Sequence, residues 1–181
     1  MANHVIHEIK FNKIKSDDIN IILSLLTDEE NSIDFNKIIP EPEQESDCDK
    51  AYILNKDVIY SPTSIGIMDD RPWFDWYKWR IAHWGTKWNA FKCYTEIGKS
   101  YITFKFETAW LPAIRIIEKL NLLGYSFIVR YADEDLGSNC GEIIYHADID
   151  DFEIVSLIAP RIFAKSLWKK YEKKGVNTDG I

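Results

Sequence analysis

Two side chains have the type and setting for proton chemistry. His83 follows Trp79 by one helical turn inside an aromatic run, and Glu107 stands at the end of an alternating segment, just before Thr108, Ala109 and Trp110. Imidazole titrates near neutrality and a desolvated carboxylate can be brought there, which is the pairing that general acid–base catalysis uses. Spacing ties neither residue to a second carboxylate or to a nucleophile. His83 therefore reads as a packing residue, and Glu107 as one half of an ion pair with Lys87 or Arg115. His4 and His7 lie in one strand at odd spacing and point to opposite faces. Cys140 and His146 would stand roughly 20 Å apart in an extended chain. No Cys/His cluster has zinc spacing, and the phosphate-cradling and nucleophile-elbow motifs are absent. Cys48, Cys93 and Cys140 form a widely spaced, odd set without CxxC, which suits free thiols in a reducing compartment. The chain reads as non-enzymatic, with no metal and no cofactor.

Binding chemistry is better represented. The net charge is −7, and 46% of the residues are hydrophobic and 14% aromatic, enough for a sizeable core. Acid is clustered at Glu41, Glu43, Glu45, Asp47 and Asp49, and again at Asp148, Asp150, Asp151 and Glu153. Such runs are solvated faces, or patches that meet a basic partner. An acidic balance argues against phosphate-backbone binding. Tryptophan is concentrated at Trp73, Trp76, Trp79, Trp84 and Trp88; Trp and Tyr are favoured anchors at protein interfaces. The N-terminus lacks an apolar signal-peptide core, and no run approaches the ~20 apolar residues of a membrane span. These features predict a soluble, cytoplasmic protein, a monomer or homodimer.

The elements that would position these residues follow from periodicity. His4 to Phe11 alternates as a half-buried strand. Ser16 is placed as an N-cap, and Ile19, Ile22, Leu23 and Leu26 make an amphipathic helix. Ile33 to Ile39 reads as a short extended piece stopped by Pro40 and Pro42. Trp73, Trp76, Trp79 and His83 share one side of a helix from about Pro72 to Trp84, ended by Gly85. That stripe is expected to close over the sheet, with Trp84 and Trp88 partly exposed. Phe91 to Ile97 and Tyr101 to Thr108 form a hairpin about Gly98-Lys99. A helix after Pro112 ends at Gly124, strands follow at Tyr125 to Tyr131 and Glu142 to His146, and a last helix runs from Pro160 to Lys174. The order is βαββαβ, the ferredoxin-like arrangement: an α+β antiparallel sheet with a Trp-rich helical insertion at about 28–90 and an extra C-terminal helix. The division is a domain at 1–147 and an appended acidic segment and helix at 148–181. The third core strand, KSYITFKF, is a poor match to RNA-stacking strands, since Thr103 and Lys105 stand where rings are needed.

WYKWRIAHWGTKWNAF and the strand ITFKFETAWLPA, together with MANHVIHEIKF, DFNKIIPEP and CGEIIYH, resemble the YubB ferredoxin-like family of phages, plasmids and other mobile elements. The resemblance covers most of residues 1–147 and departs slightly at Leu111-Pro112-Ala113. It implies the fold and a mobile-element setting, and it carries no catalytic residues. In that setting the expected function is inhibition of a host defence nuclease, as an anti-CRISPR on a Cas9-type effector, with acidic loops occupying a basic channel. The expected contact residues are Trp84, Lys87, Trp88, Asn89 and Trp110, with Glu41, Glu43, Glu45, Asp148, Asp150 and Asp151. The alternative is a nucleic-acid-binding accessory protein using Arg80, Lys87, Tyr101 and Lys105.

Overall fold

The computed structural model describes residues 3–42, 76–147 and 151–175. Glu43, Glu45, Cys48, the 51–68 stretch, Trp73, Asp148 and Asp150 lie outside the described residues. Strand β1 (His4–Asn12) is central. It pairs antiparallel with β3 (Tyr101–Ala109) and with β4 (Phe127–Asp133), so that Ile9 stands opposite both Phe104 and Val129. β2 (Phe91–Ile97) turns back onto β3, β5 (Cys140–Tyr145) adds to β4, and β6 (Phe152–Ile154) adds to β5. The resulting six-stranded sheet has the order β2-β3-β1-β4-β5-β6.

Helix α1 (Ser16–Leu26) follows β1, α2 (Phe35–Ile38) and α3 (Trp76–His83) precede β2, and α4 (Ile114–Asn121) joins β3 to β4. Without α2 and α3 the elements from β1 to β4 read βαββαβ, the ferredoxin-like α+β fold, to which β5 and β6 add two strands, and the two helices are insertions in the first helix-to-strand connection. α1 and α4 cover one face of the sheet. Ile9, Phe11, Phe104, Phe106, Phe127 and Val129 meet Ile19, Ile22 and Leu26 from α1, and Ile116, Ile117 and Leu120 from α4. Each such burial is worth roughly 1.5–3 kcal/mol against exposure, before entropy is counted.

Local chemistry overrides the sequence reading at two places. Ile33 to Ile39 was expected to be extended; a single helical turn forms instead, because the Asp34 carboxylate accepts from the Asn36 N–H as an N-cap. Ser16 is the first helical residue rather than the cap. Lys15 holds the cap position without a side-chain bond, and Asp17 and Asp18 remain in the first turn, where they suit the helix dipole.

The opposite face is also covered. Helix α5 (Pro160–Gly175) lays a stripe of Phe163, Ala164, Leu167, Trp168 and Tyr171 over Ile6 and Ala132. The Trp168 indole N–H donates to the Asp133 carbonyl at 2.8 Å, and the Tyr171 hydroxyl donates to the Lys92 carbonyl at 2.6 Å. β1 was predicted to be half-buried; Val5 to Ile9 are buried on both faces because α5 closes the outer one. On that face a row of charges crosses four strands. Lys105 reaches Glu8 at 3.1 Å, Arg130 reaches Glu8 at 3.2 Å, and Arg130 also bonds Glu142. Burial pulls the Glu8 carboxyl upward, but the Lys105 and Arg130 cations bring it below its ordinary value. Among the described residues no helix is long and apolar enough to cross a membrane.

Candidate protein-docking surface

The segment Trp84 to Asn89 joins α3 to β2, and most of it holds the fold together. Gly85 sits at φ +83°, and its amide bonds the Arg80 and Ile81 carbonyls to end α3. A Cβ there would meet the Ile114 amide at 3.2 Å and the Pro112 carbonyl at 3.3 Å. Gly85→Ala is therefore expected to cost about 1–3 kcal/mol, from a left-handed backbone and a crowded approach to α4; the urea midpoint measures it. Trp84, expected to be partly exposed, is wholly buried. Its indole N–H donates to Ile39 at 2.9 Å, and its ring packs against Phe35 and Trp79. Trp84 continues the helical bonding through its amide to Arg80, and there its indole lies on the core side with Trp79, against Phe35 and the Ile39 carbonyl. Thr86 is buried and donates to the Ala109 carbonyl at 2.9 Å. Asn89 accepts from the Phe35 and Ala90 amides and donates to Asp34 at 2.7 Å, so its amide serves α2 rather than a partner.

What remains outside is a row of rings. Trp76 is 43% exposed, Tyr77 39%, Trp88 38% and Trp110 42%. Trp76 was expected within the closed stripe and lies at the surface. Tyr77 meets Trp76 edge-on at 6.0 Å and Trp110 at 6.4 Å. The Lys87 ammonium lies 4.6 Å from the Trp110 ring and 5.2 Å from Trp88, each contact worth ~0.5–1 kcal/mol at an exposed site. Trp88 continues to Phe91 at 6.0 Å, and Phe91 to the His4 ring at 5.2 Å. The row thus runs from α3, over the turn after β3, to the β2 edge of the sheet.

Trp110 has φ +69°. A bulky residue in the left-handed region is a backbone outlier, and such outliers persist only where the surroundings over-determine them. Here the Trp110 amide donates to Asn3 at 2.8 Å, Thr108 Oγ1 donates to Leu111 at 2.8 Å, and Thr86 holds Ala109. The turn is pinned from three directions and displays an indole.

The residues with candidate proton chemistry are placed as follows. Glu107 was expected to pair with Lys87 or Arg115; it is buried on the outer face, with His4 Nδ1 at 2.5 Å and Lys92 Nζ at 3.1 Å. The β-bulge between Phe91 and Tyr94 turns Lys92 (φ +48°) toward it. Burial raises the Tyr171 hydroxyl pKa, with Glu107 adding to the effect. His83 stacks on Trp79 at 4.4 Å and its Nδ1 lies 2.9 Å from the Trp79 carbonyl, a packing role. Burial pushes the Cys93 thiol up to about 11, so it is inert.

The acidic and basic candidates divide. Glu41 is held by Arg80 in a bidentate pair at 2.9 and 2.7 Å, so it anchors α3. Asp151 is exposed. Arg80 also lies 5.1 Å from Trp76 and 5.0 Å from Trp84. Lys105 is buried against Glu8, and the Tyr101 hydroxyl donates to Glu96. Of the residues considered for nucleic acid, Lys87 and Arg80 adjoin the exposed row, and Arg80 is already paired with Glu41. Tyr77 was missed; its position off the tryptophan stripe was a signal for exposure, but its contact with Trp110 is tertiary.

No curated protein and no solved structure matches the chain. Residues 83–157, from the last residue of α3 through β6, match a family model described as the ferredoxin-like domain in Api92-like protein. The match includes Lys87, Trp88 and Trp110 of the aromatic row and takes in β6. Over this part of its length the chain is similar to that domain.

Proposed function

We propose that this chain is a non-enzymatic protein-binding protein of a mobile element. In this reading it inhibits a host defence nuclease, as an anti-CRISPR on a Cas9-type effector. The observation that supports binding is the pinned, exposed Trp110 within the row of Trp76, Tyr77, Lys87 and Trp88. Rigid rings of this kind supply large contact area at small entropic cost, and they dominate interface energies. The target class is supported by the YubB-like WYKWRIAHWGTKWNAF segment and by the net charge of −7, which suits a basic channel. Arg80 and Lys105 are both bound to carboxylates, so direct nucleic-acid binding gains less support.

Purified guide-loaded effectors test the reading. A stable complex and protection of target DNA from cleavage are the expected result; absence of both removes the nuclease target. Within such a complex, Trp88→Ala and Trp110→Ala are each expected to weaken binding about tenfold or more. Trp110→Gly separates binding from folding. It should bind as poorly as the alanine variant yet unfold at the same or a higher temperature, because glycine relieves the left-handed backbone.

A further inference from the structure

We infer that the free edge of β6 is a second docking site, which takes an extended basic strand by adding it to the sheet. β6 lies at the opposite end of the sheet from β2 and the aromatic row, and among the described residues nothing pairs with its outer side. The His146 amide donates to the Asp151 carbonyl, and the Val155 amide donates to the Glu142 carbonyl. Main-chain bonding alternates along an antiparallel strand. Asp151, Glu153 and Val155 therefore face β5, and the N–H and C=O groups of Phe152 and Ile154 point to the open edge. An edge with unpaired main-chain groups is a template for another strand.

The side chains specify the chemistry of that strand. Phe152 and Ile154 are 51% and 69% exposed. They extend the inner face of the sheet, since Ile154 stands opposite Ile143 and Phe152 opposite Tyr145, with the Phe152 and Tyr145 rings 5.7 Å apart. Glu153 points to the other face and, like Asp151, is exposed. A matching strand alternates apolar residues on the Phe152 side with Lys or Arg on the Glu153 side. A second copy of this chain fits poorly. In a twofold antiparallel pairing centred on β6, Glu153 would stand opposite itself in the closely spaced pair, and like charges directly opposite are destabilising.

The probe is an acetylated, fluorescein-labelled peptide of about eight alternating lysines and valines, compared with its glutamate–valine counterpart. The lysine peptide is expected to bind about tenfold or more tightly than the acidic one at low salt, and less tightly as salt is raised. Amide shifts should centre on Phe152 and Ile154. Ile154→Pro removes an outward N–H without touching the bonds to β5, and Glu153→Lys reverses the charge; each should lose about tenfold in affinity. Equal affinity for the two peptides, or an affinity that neither variant moves, overturns the proposal. So do shifts confined to the Trp88 and Trp110 indoles, which would assign the peptide to the aromatic row. A concentration-dependent dimer abolished by Ile154→Pro, without peptide binding, would give the edge to a second copy instead.

Discussion

Trp84→Ala should lower the folding free energy by about 3–5 kcal/mol, a large share of the roughly 5–15 kcal/mol that holds a domain together. The indole is fully buried between Phe35 and Trp79, with the Arg80 guanidinium 5.0 Å from its ring and its N–H on the Ile39 carbonyl. Alanine removes the ring, leaves a cavity where α2, α3 and α4 meet, and deprives a carbonyl of its donor. Trp84→Phe keeps most of the volume and loses the hydrogen bond, so its cost should be nearer 1–2 kcal/mol. Trp88→Ala, at the exposed surface, should stay within about 0.5–1 kcal/mol. Urea unfolding of the three variants gives the ranking. A Trp84→Ala protein that unfolds at the wild-type midpoint would show that the tryptophan is not part of the core.

Stability is expected to fall on mild acidification through His7. This imidazole is buried on the inner face, stacked 4.6 Å from Phe106, and its Nε2 accepts the Ala113 N–H at 3.2 Å. Burial lowers its pKa from 6.5 to about 3. The unfolded chain therefore binds a proton between these values that the folded chain refuses. Stability is at its full value above pH 6.5 and is lost as pH falls below 6.5 toward 3, by about 5 kcal/mol in all. From pH 7.5 to pH 5.0 the loss should be about 2 kcal/mol, before Glu8, whose pKa is depressed below 4.5, begins to add to it in the same direction. His7→Leu should be less stable at pH 7.5, since the Ala113 N–H loses its acceptor, but nearly flat across that interval. Equal slopes for wild type and His7→Leu would assign the acid sensitivity to other groups.

Much of the scaffold was legible in the residues. Alternation in His4 to Phe11 and Tyr101 to Thr108, the hairpin at Gly98-Lys99, the helix ends at Gly85 and Gly124 and the stripe of α5 are local signals, and local sterics and solvation suffice to set them. β6 was not legible: Phe152 to Ile154 is too short for a periodicity to show, and it becomes a strand because β5 offers it an edge. The single turn at Phe35 was hidden as well, because its cap depends on Asp34 and on Asn89 from far along the chain.

The site divides in the same way. The sequence by itself determined that this is an antiparallel α+β sheet with an aromatic insertion, that its Trp-rich segment ends in a glycine turn, and that no spacing joins a nucleophile to a base. Those are consequences of period and backbone geometry, which act over a few residues. Only the tertiary structure decided which rings are core and which are surface. Trp84 and Trp88 flank one turn and look alike in the chain, yet the first packs against Phe35 and the second lies in water beside Lys87. Burial is a property of what packs opposite, and for Trp84, Glu107 and Trp110 the opposite surface comes from strands and helices distant in sequence.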